Sequence, residues 1–301
     1  MSDRTEKGTR SQGALSQSAL MHEFEIDIPC GRIRGLRNDN PGGERVIALH
    51  GWLDNAASFM PLAPYLQGLD LVAPELPGHG RSAHLPRGTD YSFAGALHSV
   101  LDVADALGWE QFSLLGHSMG AGISSLIAAG CPRRVRRLVA IEALGALPET
   151  VERTVPRLRE AIDATRALTG KQLRVFPDLA APIRARMQVN ALSEPVARLL
   201  VERGVDAVEG GYVWSSDPRL TLPTMTRMTG EQIDALVAGI ECPTRVIYAT
   251  PAQVYLPEPD RSRRARLLPQ GDLVLLAGGH HLHMEDPEAV AAAIGSFFLE
   301  A

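Results

Sequence analysis

Hydrophobic residues in this chain form short runs that alternate with segments of helical spacing. Two early segments, 22–28 and 32–36, alternate between apolar and polar side chains, which predicts a pair of antiparallel strands at the edge of a sheet. The later runs are short and mainly apolar, which is typical of strands covered on both faces. They lie at Arg45–Leu49, Leu69–Ala73, Phe112–Leu115, Arg137–Ile141, Thr244–Ala249 and Asp272–Leu276. The alternation predicts an α/β fold with a doubly wound, mostly parallel sheet.

Helical spacing predicts the elements between these strands. Ser92 can cap a helix whose apolar face ends at Leu107, where Gly108 stops it. Residues 61–66 read as the start of a helix, and further helices are expected from Glu231 to Ala238 and from Pro287 to Leu299.

The middle of the chain has a different pattern. Residues 146–230 are mainly helical and charged, with helices expected at 151–168, 181–192 and 194–203 and a hairpin near 211–214. No run there has the pattern of a buried parallel strand, so we interpret the segment as a cap inserted into a core formed by residues 22–145 and 231–301. Residues 1–21 are rich in Ser, Gly, Thr and charge, which predicts a disordered tail.

Composition narrows the class of protein. With 301 residues, 45% of them hydrophobic, the chain can bury a substantial core, and a net charge of −5 gives no broad attraction to nucleic acid or anionic membranes. No apolar stretch is long enough to span a membrane. Cys30, Cys131 and Cys242 are odd in number and widely spaced, which argues against disulfides and favours a reducing, cytoplasmic location.

One segment combines a strand, a sharp turn and a helix. The strand-like residues 112–115 run into Gly116-His-Ser118-Met-Gly120, and helical spacing begins at Ala121. Glycines two positions before and after the serine suit a turn too tight for side chains there. Ser118 is therefore the predicted nucleophile of a hydrolase.

A serine hydroxyl needs a base within hydrogen-bond reach. His280 follows the last predicted strand in a glycine-flanked loop, and we expect it to be that base; His281 and His283 are the nearby alternatives. These histidines do not predict a metal site, because adjacent residues do not easily converge on one ion and no acidic ligands cluster nearby. Phosphate-loop, dinucleotide-binding and paired-cysteine motifs are absent from the sequence, so no cofactor is expected.

The motifs together resemble the α/β-hydrolase fold, from His22 to Phe298. Four segments carry the resemblance in the family's chain order: His50-Gly-Trp52, Pro77-Gly-His-Gly-Arg-Ser82, Gly116-His-Ser-Met-Gly120 and Gly279–Pro287. Within the family, three segments look most like the serine hydrolase-like proteins: His50–Asn55, Asp217–Leu220 and His280–Met284. The resemblance implies an eight-stranded, mostly parallel sheet with an inserted helical cap.

The acid of the triad departs from the usual family pattern. The resemblance implies an acid in the loop after the penultimate strand, where this chain has Gln253. Glutamine carries no charge to stabilise an imidazolium. Glu142, at the end of the strand after the nucleophile helix, stands at the alternative position used in some branches of the fold, and Asp260 and Glu258 are the fallback acids.

The resemblance also implies an oxyanion hole and a substrate pocket. The backbone N–H groups of Met119 and Trp52 would bind the oxyanion. Larger apolar residues of the cap, among them Trp214 and Met225, are candidates to line an acyl pocket or to pack the cap onto the core. His50 lies in the oxyanion loop and is therefore a further candidate substrate-binding residue. Its expected role is structural, to brace that loop.

These residues predict acyl transfer to water through an acyl-enzyme. Because no basic patch is expected to face the site, the preferred substrates are small or medium uncharged carboxylic esters, acted on by a monomer or homodimer. Thioesters, lactones, amides and C–C bonds stay open as alternatives. The contrasting hypothesis is a non-catalytic binding or signalling module, in which the displaced acid marks lost catalysis.

Overall fold

The centre of the molecule is a mixed eight-stranded sheet, seen in a computed structural model that describes residues 20–168 and 173–300. The predicted tail at 1–21 lies outside these residues except for its last two. The sheet strands are β1 His22–Ile28, β2 Gly31–Arg37, β3 Glu44–Leu49, β4 Leu69–Pro74, β5 Phe112–His117, β6 Val135–Ile141, β9 Thr244–Thr250 and β10 Gly271–Ala277. Their spatial order is β1-β2-β4-β3-β5-β6-β9-β10.

Only one edge of the sheet is antiparallel. β1 pairs antiparallel with β2, and β2 pairs antiparallel with β4, whereas every later pairing is parallel. All residues of β4 and β5 are buried, as expected for parallel strands covered on both faces. The mostly parallel α/β fold predicted from the alternation of strands and helices is confirmed.

Helices cover both faces of the sheet. The helices of the described residues, including α3 to α5 of the segment between β6 and β9, are α1 Phe93–Ala106, α2 Met119–Gly130, α3 Thr154–Ala167, α4 Ala180–Asn190, α5 Glu194–Arg203, α6 Gly230–Ala238, α7 Asp260–Ala265, α8 Leu282–Glu285 and α9 Pro287–Ile294. One apolar cluster joins α1, α2 and α6 to one face of the sheet, and a second joins α9 to the other. The hydroxyl of Ser92 caps α1 by accepting a hydrogen bond from the N–H of Gly95 at 3.0 Å.

Two predicted helices were wrong in extent. Residues 61–66 contain only a short 3-10 turn at Ala63–Tyr65, which ends because Leu66 leaves the helical region with φ −94° and ψ 64°. The last helix stops at Ile294 because Gly295 takes φ 53°, and a separate 3-10 turn follows at Phe297–Leu299. The short helices α7 and α8 were not predicted.

The insertion, residues 146–230 between β6 and β9, has a small core of its own. It contains α3, α4, α5 and a hairpin formed by β7 Val205–Val208 and β8 Gly211–Trp214. Its largest buried apolar cluster comes from α4, α5 and Leu192 between them, and Met284 of the sheet domain packs against it. Within the described residues, none of the helices is long and apolar enough to cross a membrane.

A buried ion pair joins the insertion to the sheet domain. Arg203, at the end of α5, donates from Nε to Oε1 of the fully buried Glu75 at 2.6 Å. Its Nη1 also donates to Glu23 at 2.6 Å. Glu75 accepts further bonds from the backbone N–H groups of Arg81, at 2.8 Å, and Ala56, at 3.3 Å. Arg203 thus neutralises a carboxylate that has no contact with solvent.

Replacing Arg203 by methionine should therefore destabilise the fold strongly. The change leaves the Glu75 carboxylate buried without its counter-ion, which we expect to lower the free energy of unfolding by about 3–5 kcal/mol. Urea unfolding followed by circular dichroism measures the effect. The matched control is Arg198→Met on the same helix, which removes an exposed ion pair with Glu194 and should leave the midpoint almost unchanged. Equal midpoints for the two variants would contradict the prediction.

Candidate active site

Ser118 occupies a strained turn between β5 and α2. Its backbone has φ 52° and ψ −116°, in a region that residues with a side chain rarely adopt. The Ser118 N–H donates to the carbonyl of Ile141 at 2.8 Å, which ties the turn to the end of β6. This conformation lifts the serine side chain above the carboxyl ends of the parallel strands.

The two flanking glycines allow the turn to pack against its neighbours. A Cβ on Gly120 would lie 2.0 Å from the carbonyl oxygen of Leu49 on β3, and one on Gly116 would lie 2.5 Å from Cα of Ala121. Both contacts are with backbone, which cannot give way as a flexible side chain does. Glycine is therefore required at both positions by close packing.

His280 lies within hydrogen-bond distance of the serine. It follows β10 after Gly278 and Gly279, and its Nε2 is 2.9 Å from Ser118 Oγ. The backbone carbonyl of His280 is 2.8 Å from Nε2 of the buried His117, and since a carbonyl can only accept, His117 Nε2 carries the ring proton. His117 therefore holds the loop that carries His280.

Glu142 contacts the other nitrogen of the same ring. Its Oε2 is 3.1 Å from His280 Nδ1, and its Oε1 accepts a hydrogen bond from the N–H of Ala249 at 2.5 Å. Glu142 is buried and has φ 60°, so the backbone bends sharply where β6 ends and turns the carboxylate toward the histidine. Ser118, His280 and Glu142 thus form a continuous chain of contacts.

The fallback acids are engaged elsewhere. Glu258 accepts hydrogen bonds from Arg261 at 2.6 Å and Ser262 at 2.9 Å. Asp260 lies 3.9 Å from Arg263 on the exposed side of α7. Neither carboxylate has a contact with His280 among the described residues.

Sequence reasoning missed Tyr255. Its hydroxyl lies 2.8 Å from His280 Nδ1, beside the Glu142 carboxylate, and burial raises its pKa well above the usual value, which keeps it protonated. Tyr255 follows Gln253 by two residues in the loop where the family's usual acid was expected. In the sequence, the only indication of this contact was that Gln253 stands in the loop where the family usually has the triad acid.

Met119 and Trp52, whose backbone N–H groups were predicted to bind the oxyanion, lie in the two segments that follow β5 and β3. Met119 is the first residue of α2, so its N–H has no partner within the helix. Trp52 lies in the loop that follows β3, and its indole N–H donates to the carbonyl of Leu220 in the insertion at 2.9 Å. Both residues line the same cavity as Ser118.

That cavity has a volume of about 880 Å³ and reaches Ser118, Glu142 and His280. Much of its wall is apolar, as this sample of lining residues shows: Met119, Ile123, Leu144, Leu147, Leu220 and Leu222. Three arginines also reach it: Arg219, Arg227 and Arg264. Space for a small or medium organic molecule therefore adjoins the serine.

Three predicted substrate-binding residues lie outside the lining of this cavity. Trp214 packs edge-on against Phe176 at 5.9 Å in the core of the insertion, and Met225 also lies outside the lining. His50 is fully buried; its Nε2 accepts from the N–H of Leu76 at 3.1 Å and its Nδ1 donates to the carbonyl of Gly51 at 2.8 Å. Its role is to brace the loop, and burial lowers its pKa, which keeps it neutral.

Comparison with known proteins identifies the class. The sequence profile of the alpha/beta hydrolase fold family matches residues 44–200, and the chain belongs to that family. A serine hydrolase-like protein of Danio rerio is 30% identical over 91% of this chain and 87% of its own length. The chain is thus closely similar to the serine hydrolase-like proteins, as the resemblance of three short segments predicted.

Solved structures agree on the fold. The hypothetical protein PA1622 of Pseudomonas aeruginosa PAO1 is 41% identical, with a TM-score of 0.88 over 92% of this chain and 99% of that one. A thioesterase domain from the curacin biosynthetic pathway is 29% identical, with a TM-score of 0.80 over 93% of this chain and 99% of that one.

Adding one methyl group at Gly120 should disrupt the serine turn. The new Cβ of Gly120→Ala overlaps the Leu49 carbonyl, so the turn must move away from β3; we expect a loss of about 1–3 kcal/mol in unfolding free energy. Chemical denaturation provides the measurement. Gly130→Ala is the control, because its Cβ meets nothing within 4 Å. If both variants are equally stable, the close contact does not constrain the turn.

Proposed function

We propose that this protein is a serine hydrolase that cleaves carboxylic esters through an acyl-enzyme. The observation that carries the proposal is the chain of contacts from Ser118 Oγ to His280 Nε2, at 2.9 Å, and from His280 Nδ1 to Glu142 Oε2, at 3.1 Å. A nucleophile, a base and an orienting acid are the parts that serine catalysis needs, and here they adjoin a cavity that can hold a substrate.

Each residue has a distinct role in the proposed reaction. Ser118 Oγ bonds to the carbonyl carbon while its proton passes to His280 Nε2, and Glu142 stabilises the imidazolium that forms. The N–H groups of Trp52 and Met119 bind the oxyanion. His280 then protonates the departing alcohol. In the second half of the cycle it takes a proton from water as that water attacks the acyl carbon, and it returns the proton to Ser118 Oγ when the bond from Oγ to the acyl carbon breaks and the acid is released.

The cavity supports a preference for uncharged acyl groups. Two of its three arginines are already engaged: Arg219 donates to Asp217 at 2.6 Å, and Arg264 donates to the carbonyl of Leu144 at 3.1 Å. Arg227 makes no salt bridge within the described part of the chain, and it is the part of the wall at which an anionic group would bind most favourably. The apolar remainder of the wall favours an alkyl chain.

A thioester is the second candidate substrate. The observation that favours it is the likeness to the thioesterase domain, which also spans most of this chain. The proposed chemistry differs only in the leaving group, a thiolate in place of an alkoxide. Both candidates depend on the same serine, so they are separated by substrate comparison.

The role of Glu142 is tested by Glu142→Gln. The amide cannot compensate the positive charge of the imidazolium, so kcat should fall by about 10⁴-fold while the fold is retained. Steady-state hydrolysis of a p-nitrophenyl ester measures the loss. Glu258→Gln is the matched control and should keep near-normal kcat; Tyr255→Phe should cost less than about 10-fold, since its neutral hydroxyl supplies no charge. Near-normal turnover by Glu142→Gln would exclude Glu142 as the acid.

The substrate class is tested with p-nitrophenyl esters of increasing acyl length. We expect hydrolysis of short and medium neutral esters, abolished in Ser118→Ala, and labelling of the wild type alone by a fluorophosphonate. Higher kcat/KM for an ester with a terminal carboxylate, lost in Arg227→Met, would overturn the preference for uncharged substrates. The second candidate is tested by comparing kcat/KM for esters and for thioesters that carry the same acyl group.

The same labelling experiment addresses the non-catalytic alternative. A fluorophosphonate reacts only with an activated serine, so it reports on the triad without knowledge of the natural substrate. Absence of labelling in a folded wild-type protein would favour the binding or signalling module.

A further inference from the structure

A second polar cluster lies directly behind the proposed triad. It consists of Asp54, in the loop after β3, together with His117 and His281, which precede Ser118 and follow His280 in the chain. All three are buried, and one ligand atom from each lies within 4.8 Å of the others. Asp54 Oδ2 is 3.1 Å from His281 Nε2 and 3.8 Å from His117 Nδ1.

The proton positions leave a lone pair aimed into this cluster. His117 Nε2 donates to the His280 carbonyl, so in the neutral imidazole the proton lies on Nε2 and Nδ1 bears a lone pair. That bare Nδ1 has no hydrogen-bond partner among the described residues and points at a carboxylate oxygen. Two acceptors that face each other in a buried place repel unless a positive centre lies between them.

Space for such a centre is kept open by Gly51. A Cβ at this position would lie 2.8 Å from Asp54 Oδ2 and 3.0 Å from His117 Nδ1, so any larger residue would fill the gap between the two acceptors. Gly51, Asp54, His117 and His281 all line the cavity that reaches Ser118. An ion therefore has a route to the cluster, and the side toward the cavity can supply a further ligand.

From this geometry we propose a binding site for a divalent transition-metal ion of the zinc class, formed by Asp54 Oδ2, His117 Nδ1 and His281 Nε2. Two imidazoles and one carboxylate are typical zinc ligands, whereas calcium and magnesium prefer oxygen alone. Two ligands of a tetrahedral zinc lie about 3.3 Å apart. The two measured separations from Asp54 Oδ2 lie within about half an ångström of that value.

Binding requires a change at His281 and a balance of charge. The ion replaces the proton that His281 Nε2 shares with Asp54, and that proton moves to Nδ1, which has no partner in the described structure. Arg186 holds the other oxygen of Asp54, so the carboxylate is already neutralised. Hydroxide or another anion from the cavity then completes the coordination and offsets the charge of the ion.

The cluster differs from the one considered in the sequence. There, His280, His281 and His283 were dismissed because adjacent residues do not easily converge and no acid is near. Of those three histidines only His281 belongs to the cluster, and the loop after β3 and the last residue of β5 bring Asp54 and His117 to it. His280 points the other way, toward Ser118 and Glu142, so the same loop serves both sites.

Metal binding to the full chain tests the proposal. The protein is prepared without an affinity tag, stripped with a chelator and titrated with Zn²⁺ by calorimetry and with Co²⁺ by visible absorption. We expect one ion per chain, an intense cobalt spectrum typical of four or five ligands, and a melting temperature that rises with zinc concentration. These readouts are independent of hydrolysis, so they stand or fall separately from the proposed function.

Variants separate this site from adventitious binding. Asp54→Asn removes a charged ligand and Gly51→Ala fills the gap; each should weaken binding at least about 10-fold and abolish the cobalt spectrum. His98→Ala, an exposed histidine on the wall of the same cavity, is the control and should bind normally. No binding to the folded wild type, or unchanged binding by folded Asp54→Asn or Gly51→Ala, would overturn the proposal.

Discussion

The approach of Gly120 to the carbonyl of Leu49 is the contact on which the proposed active site depends. It presses the start of α2 against the end of β3, so the serine turn and the loop after β3 cannot move independently. The left-handed φ of Ser118 costs about 1–3 kcal/mol, and the packed strands around it hold the residue there. Because Trp52 lies in the loop that continues from β3, the same packed unit carries the proposed nucleophile and both N–H groups that we assign to the oxyanion.

The sequence predicted the sheet well because buried parallel strands have a strong local signature. The strands β3, β5 and β6 each contain a short, mainly apolar run, and the turn at Ser118 needs glycines at fixed offsets, so both could be predicted without tertiary information. Glu142 was also within reach of prediction, because it directly follows a buried strand whose carboxyl end must face the same edge as Ser118. Residue patterns along the chain were therefore sufficient to predict those features whose position depends on the direction of the parallel strands.

Prediction failed where the outcome depended on packing between distant segments. Trp214 and Met225 are large and apolar, as pocket residues are, but Trp214 is half-buried against the apolar cluster of the insertion. Tyr255 belongs to no recognisable motif, because its contact with His280 depends on how the loop after β9 folds back toward the end of β10. Asp54 was overlooked because nothing in its neighbourhood along the chain indicates that His117, at the end of β5, and His281, after β10, lie beside it.

Directional polar contacts, as well as apolar packing, determine how the insertion sits on the sheet domain. Arg186 and Arg203 each reach a buried carboxylate of the sheet domain, Asp54 and Glu75. Buried ion pairs add little net stability over apolar pairs, yet a carboxylate left alone in the interior is costly, so alternative placements of the insertion are disfavoured. Since the insertion also supplies Leu220 and Arg227 to the cavity wall, these two pairs define the shape of the space above Ser118. The two buried ion pairs therefore contribute more to fixing the position of the insertion over the site than to the net stability of the fold.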